Sequence, residues 1–239
     1  MSMTGMFYGI GVGPGDPDLL TVKAVKVMQK ADVLIAPRSE KTVDSTALAI
    51  AKPHLKADVE IIDMVFPMVF EGDVLDEAWE DNRRIIGSLL EQGKNVVFLT
   101  LGDPMFFSTY IYVFHALKEA GFPIETVPGI PAFLGIASYV GFPVVEGEEV
   151  LSVVPATASE DKIDKIMETS SNLVIMKCSR NYEQLVAKLE QHGFLEHSIM
   201  VTKCGRPDEQ IVRDLKSVSA SEVNYLSTIL ARKNKINKI

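Results

Sequence analysis

The sequence predicts an α/β fold in two domains, the first built on a mainly parallel sheet and the second on a mixed one. Three observations carry that prediction. In the first half, short apolar runs alternate with amphipathic stretches, the pattern of parallel strands covered by helices. Past Gly121-Phe122-Pro123 the texture changes: strand-like runs outnumber the helices between them, which favours antiparallel pairs. And 239 residues with 47% hydrophobic content suffice for one large or two ordinary cores. The predicted domains are residues 1–121 and 122–239, with a cleft between them.

Taken in order, Phe7 to Gly11 is the first strand and Thr21 to Lys30 the first helix. Val33 to Ala36 is the next strand, Ser45 to Ala51 a helix, and Glu60 to Asp63 a strand. A long helix from Asp73 to Gln92 sets Leu75, Trp79, Ile85, Ile86, Leu89 and Leu90 on one apolar face, and its acidic first turn suits a helix N-terminus. Val96 to Leu101 is a buried strand, followed by a loop and the helix Tyr110 to Glu119. The short strand Ile124 to Val127 leads to Pro128-Gly129-Ile130-Pro131 and a small-residue helix, Ala132 to Val140. Strand-like runs follow at Leu151 to Val154, Leu173 to Lys177, Ser198 to Lys203, Gln210 to Leu215 and Tyr225 to Ala231. No internal repeat or low-complexity segment is evident.

Composition excludes several functions. A formal charge of -8 argues against broad contact with nucleic acid or an anionic membrane. Cys178 and Cys204 form no Cys-x-x-Cys pair and suit a reducing cytosol. Residues Met1 to Gly5 lack the features of a signal peptide, and no apolar run has the length of a membrane span, so a soluble cytoplasmic protein is expected. His54, His115, His192 and His197 make no metal pattern, so no protein-bound metal is expected. The Met64 to Phe70 stretch is an apolar connection or a flexible lid.

Gly102 to Tyr112 is the most informative segment, because it turns a buried strand into a shaped loop. Gly102 lets bare backbone approach a ligand, Asp103 accepts hydrogen bonds, Pro104 stiffens the exit, and two Phe and two Tyr supply flat surfaces. Such strand ends are where open α/β proteins bind ligands. The second Gly-rich loop, Gly9 to Asp16, fails the dinucleotide spacing: the third glycine falls on Pro14 or on Asp16. No Gly-Lys-Ser or Gly-Lys-Thr follows, which excludes a P-loop, and Phe7 stands where a Rossmann S-adenosylmethionine site needs an acid. Alone, this loop is as well explained by a tight strand-to-helix turn.

Together with Lys30-Ala31-Asp32-Val33, Val127-Pro128-Gly129-Ile130 and Gly141-Phe142-Pro143, these segments resemble the tetrapyrrole methyltransferase family along nearly the whole chain. Within it, Gly102 to Tyr112, Lys203 to Pro207 and Tyr225 to Leu230 are most similar to the precorrin-2 or cobalt-factor II C-20 methyltransferases of cobalamin synthesis. The resemblance implies a non-Rossmann two-domain methyltransferase with S-adenosylmethionine as methyl donor. It implies cofactor contacts from Pro14, Leu101, Gly102, Asp103, Phe106, Pro131 and Ala132, and backbone contacts from Met176 or Lys177 and Cys204 or Gly205. Many relatives carry Thr or Ser where Pro131 stands, which leaves only backbone and packing there. It also implies a homodimer, and any cobalt belongs to the substrate.

Methyl transfer from an activated sulfonium rests on proximity and alignment and needs no covalent triad. Tyr110 and Tyr112 are the catalytic candidates, to flank the macrocycle or aid proton movement. Two apart on a helix, they point in different directions, so one faces the ligand and the other packs in the core. Asp103 is a cofactor acceptor or a loop-shaping residue. Ser108 and Thr109 lie toward the macrocycle, and Arg38, Lys41, Arg180, Lys203 and Arg206 are candidates for its carboxylates, each against the alternative of a solvated charge; Lys177 is a further such cation. The Arg232 to Lys235 cluster reads as a solvated tail. Rival functions are a same-fold methyltransferase acting on another corrinoid carbon, ribosomal RNA or a modified protein, and a non-catalytic binder of S-adenosylmethionine or a tetrapyrrole.

Overall fold

The structure, a computed structural model, describes residues 4–38, 44–66 and 73–233, with side chains from residue 79 onward in the last span. Lys41, residues 67–70 of the Met-rich stretch, and Asn234 and Lys235 lie outside the described residues. The chain divides into two compact units, residues 1–131 and 132–239.

In the first unit, β1 (Phe7–Gly11), β2 (Val33–Arg38), β3 (Glu60–Val65), β4 (Val96–Thr100) and β5 (Ile124–Val127) form one sheet in the order β3-β2-β4-β1-β5. Every pairing is parallel. The helices are α1 (Val22–Met28), α2 (Thr46–Ala51), α3 (Asp73–Glu91) and α4 (Tyr110–Glu119). Thr21 and Ser45 cap the first two, their side-chain oxygens accepting from the N–H of Ala24 and Leu48.

Alternation along β4 explains how the helices divide between the faces. Val97 and Leu99 pack with Ala24, Met28, Ala47 and Ile50 of α1 and α2. Val96 and Phe98 pack with Ile86 and Leu90 of α3 and with Tyr110, Val113 and Leu117 of α4. Parallel strands covered on both faces must be apolar throughout, and all five residues of β4 are buried. On α3 the predicted apolar face is narrower than expected: Ile85 is exposed, because it lies about 100° around the helix from buried Ile86.

The turn at Gly121-Phe122-Pro123 was the expected end of the first domain. The chain instead returns to the same sheet, where β5 pairs with β1 from Phe7↔Ile124 to Ile10↔Val127. The division falls ten residues later, at Pro131–Ala132.

The second unit starts with α5 (Ala132–Val140) and holds β6 (Leu151–Pro155), α6 (Glu160–Thr169), β7 (Asn172–Met176), α7 (Tyr182–Gln191), β8 (Ser198–Thr202), β9 (Gln210–Val212) and β10 (Ser227–Arg232). The sheet order is β6-β7-β10-β8-β9. β6 and β7 are parallel; the other three pairings are antiparallel, as expected of a mixed sheet. Met167, Leu173, Ile175, Leu189, Phe194, Met200 and Ile229 form its core.

Arg232 does not belong to a solvated tail. It is the last residue of β10 and is 3% exposed. Its guanidinium donates to both carboxylate oxygens of Glu149 at 2.8 and 2.7 Å, to Glu146 at 2.9 Å and to the carbonyl of Pro143 at 3.0 Å. A buried guanidinium requires such partners, and the effect is to tie the connection between α5 and β6 to the end of the sheet.

Candidate functional site

β1 and β4 lie side by side, yet the chain leaves them in opposite directions. From β1 it passes through α1 to β2, and from β4 through α4 to β5 at the other edge. Ligands of open α/β sheets bind at the C-terminal ends of strands where connections part in this way. The two glycine-bearing loops leave from this point and are bonded to each other. Gly13 N–H donates to the carbonyl of Gly102 at 3.2 Å, and Gly102 N–H to that of Gly13 at 2.8 Å. Both have left-handed backbone, φ +79° and +72°, which glycine adopts without steric cost.

A third segment closes on the same place. A Cβ at Gly11 would meet the nitrogen of Gly129 at 2.5 Å and the carbonyl oxygen of Gly102 at 2.6 Å. One at Gly129 would meet the carbonyl carbon and Cα of Gly11 at 2.7 Å, and the Gly102 oxygen closer still. Backbone therefore touches backbone at the ends of β1, β4 and β5. The alternation Gly9, Gly11 within a strand is the sequence signal for such close approach.

Asp103 locks the arrangement. Oδ1 accepts from Met105 N–H at 2.8 Å and Oδ2 from Gly129 N–H at 3.0 Å, so one carboxylate shapes its own loop and holds the loop after β5. Each oxygen retains a second acceptor position. At the end of β4, Thr100 Oγ1 is buried with no hydrogen-bond partner among the described residues. Pro14 is buried, while Leu101 and Phe106 are half-buried beside these loops. Such a site offers bare backbone and a carboxylate with free acceptor positions. It fits an organic ligand bearing hydroxyl and ammonium donors, and the carboxylate is wrong for a phosphate.

The aromatic candidates separate as helical geometry requires. Tyr110 is fully buried over β1: a Cβ on Gly9 would strike its ring, with the hydroxyl at 2.6 Å. Its ring stacks on Phe7 at 5.9 Å and its hydroxyl bonds Thr126 Oγ1 at 2.7 Å. Burial pushes its pKa up, against the pull of that hydrogen bond. This is a core residue, which leaves Tyr112 as the member of the pair that a ligand can reach. Tyr112 is 59% exposed and meets Trp79 edge-on at 5.6 Å. Ser108 Oγ accepts from Tyr110 N–H at 3.0 Å and so starts α4. Phe106 packs against exposed Phe107, whose φ of +48° is strained for an aromatic residue.

In the second unit the structure exposes a short repeat that the sequence reading missed. Residues 173–180, Leu-Val-Ile-Met-Lys-Cys-Ser-Arg, match 199–206, Ile-Met-Val-Thr-Lys-Cys-Gly-Arg, in kind at every position but two. They form β7 and β8, which flank β10, and each continues into a lysine in left-handed backbone: Lys177 at φ +58° and Lys203 at φ +54°. A buried cysteine follows each. Burial pushes the thiols of Cys178 and Cys204 up to about 12, so neither is a thiolate at neutral pH. Met176 and Lys177 are half-buried at the first turn, and Gly205 is exposed at the second. Pro131 and Ala132, at the start of α5, are half-buried.

Several predicted cations already hold carboxylates. Arg38 Nε donates to Asp63 Oδ1 at 2.9 Å and its terminal nitrogen pairs with Oδ2. Lys203 pairs with Asp208 at 2.6 Å, and Arg206 with the same carboxylate at 3.4 Å. Arg180 is exposed. No described helix is long and apolar enough to cross a membrane.

Comparison with known proteins bears on this arrangement. The family described as Tetrapyrrole (Corrin/Porphyrin) Methylases matches residues 6–218. The chain is 36% identical to the cobalt-precorrin-2 C(20)-methyltransferase of Salmonella typhimurium over 97% of its own length and 98% of the relative's. It is 34% identical to the precorrin-2 C(20)-methyltransferase of a Sinorhizobium species, over 82% and 83%. Among solved structures, the uroporphyrin-III C-methyltransferase of Thermus thermophilus, complexed with S-adenosylhomocysteine, shares its fold with a TM-score of 0.70 at 22% identity, covering 96% of this chain and 92% of the other.

Proposed function

This chain belongs to the tetrapyrrole (corrin/porphyrin) methylases, and from that premise we propose that it methylates C-20 of precorrin-2 or cobalt-factor II in cobalamin biosynthesis. It is an S-adenosylmethionine-dependent C-methyltransferase. The observation that carries the choice of substrate is the end-to-end match, at 36% identity, to a relative named for the same carbon.

Bound at the site, S-adenosylmethionine supplies an electrophilic methyl carbon on a sulfonium. A methyl group delivered there would bond to the electron pair of C-20 as its bond to sulfur broke, and the C-20 proton would pass to solvent or a weak base. The protein's part is placement. Gly13 and Gly102 present backbone, and Asp103, oriented by two N–H donors, accepts from hydroxyl or amino groups of the donor. Pro14, Leu101, Phe106, Pro131, Ala132, Met176 or Lys177, and Cys204 or Gly205 complete the donor contacts. Tyr112 packs against the macrocycle, Ser108 and Thr109 lie toward it, and Arg180 with Lys177 meets its carboxylates. Arg38, Lys203 and Arg206 act there as cations shared between Asp63 or Asp208, which they already pair with, and a carboxylate of the macrocycle.

The test is incubation with methyl-labelled S-adenosylmethionine and either metal-free precorrin-2 or cobalt-factor II, followed by location of the label. Label at C-20 of one or both is expected, and the ratio of rates gives the metal preference. Transfer to neither, with S-adenosylhomocysteine still bound, would favour another substrate or a non-catalytic binder. We also propose a cytoplasmic homodimer, supported by the family resemblance. A sedimentation mass of one chain across micromolar concentrations would overturn the dimer.

A further inference from the structure

We infer that Glu209 is a positioning residue for the methyl donor, its carboxylate fixing the Cys204–Gly205 turn. The inference rests on the donor contacts proposed above for Cys204 or Gly205.

The turn needs something to hold it. Lys203 and Gly205 both have left-handed backbone, at φ +54° and +74°, and a lysine keeps that conformation only where its surroundings impose it. Glu209, at the other end of the loop and directly before β9, supplies the restraint. Its Oε2 accepts from Gly205 N–H at 2.6 Å, a short charge-assisted bond. The negative charge of the same carboxylate adds to the effect of burial in keeping the Cys204 thiol protonated.

The consequence is geometric. The turn directly follows β8, which ends at Thr202, and the bond to Glu209 holds its backbone in one conformation. A ligand that uses that backbone meets a preorganised surface and loses less conformational entropy on binding.

Wild type, E209A, E209Q and E209D are compared by calorimetric titration with S-adenosylhomocysteine, by steady-state rates against S-adenosylmethionine, and by thermal unfolding. E209A is expected to raise Kd and the donor KM about ten-fold, the loss of a charged acceptor, while kcat at saturating donor changes less than about three-fold. E209Q keeps an acceptor oxygen and recovers most of that loss. E209D, its carboxylate withdrawn by one methylene, gives the same direction should E209A not fold. A purely structural Glu209 would lower the melting temperature and leave Kd unmoved in every folded variant, which overturns the inference alone. Wild-type protein that does not bind S-adenosylhomocysteine overturns the donor-site reading and the inference with it.

Discussion

Substituting Gly129 by alanine tests the backbone contact on which the donor site is built. The added Cβ would lie 2.7 Å from the carbonyl carbon and Cα of Gly11 and nearer to the oxygen of Gly102. All three atoms are main chain, at the ends of two strands buried in a five-stranded sheet, so none can rotate aside. Overpacking a well-packed site costs about 1–3 kcal/mol, and with only backbone to yield about 3 kcal/mol is expected. For a unit of this size that is a fall in melting temperature of about 10 °C. Gly129 also donates to Asp103, so displacement of its loop should weaken S-adenosylhomocysteine at least about ten-fold. Gly87→Ala is the control: its Cβ would meet only the ring of Phe122 at 3.5 Å, ordinary contact, and alanine favours its helix by about 0.5–1 kcal/mol. The assay is far-UV circular dichroism on heating, with calorimetric titration of both variants. G129A melting within about 2 °C of wild type and binding normally would refute the close approach of the three strand ends. A large loss of stability with binding intact would leave the packing standing and remove the ligand from it.

Tyr110→Phe should cost about 1 kcal/mol, the bond to Thr126, and leave kcat within about two-fold; a hundred-fold loss of kcat at an unchanged melting temperature would return Tyr110 to the chemistry. Tyr112→Ala should raise the tetrapyrrole KM several-fold without changing the affinity for S-adenosylhomocysteine. Arg232→Met removes four hydrogen bonds from a buried guanidinium, and because Glu146 and Glu149 can partly rehydrate, about 2 kcal/mol of stability should be lost rather than the full cost of a buried unpaired charge. Acid should act on the same unit. Glu149 is held below the usual carboxylate range by the N–H of Glu146, with Asn172 and Arg232 adding to it, Asp164 by Lys188, and Asp208 by Lys203. Groups depressed in the folded state stabilise it fully above their unfolded pKa of about 4 and lose that contribution as pH falls through the lower folded values. The urea midpoint should therefore be flat near neutrality and decline below about pH 5; a midpoint constant down to pH 3 would contradict it.

Elements with a clear period were legible in the sequence, and α4 and α5 occupy the residues expected. The pattern i, i+3, i+4 is written by local burial and needs no knowledge of partners. The strand order was not legible, since adjacency of β1 and β4 depends on contacts between residues nearly 90 apart. The same limit explains Gly121-Phe122-Pro123, a strong turn signal that says the chain reverses without saying which sheet receives it. Arg232 shows the limit for charge: a cation in a basic C-terminal run looks solvated unless Glu146 and Glu149 are known to converge on it. The strand-end repeat at Lys177-Cys178 and Lys203-Cys204 was visible in principle. It was short enough to pass as two apolar runs until both turns proved left-handed at the same position.

Asp103 and the glycines around it make the relation between stability and function unusually direct. The carboxylate proposed to accept from the methyl donor is the one that holds the loop after β5 in place, and whether or not a ligand is bound, Gly11 and Gly129 are required by backbone packing and Gly102 by its left-handed backbone. Substitutions there perturb fold and binding together, and activity alone could not separate the two. Glu209 differs in kind. It lies outside the hydrophobic core, its bond to Gly205 spans a solvent-facing loop, and its loss leaves the β8–β10 ladder intact. If placement rather than chemical assistance is the protein's contribution to methyl transfer, Glu209 variants should change donor affinity at nearly constant kcat, which the Asp103 cluster is too deeply built into the fold to reveal.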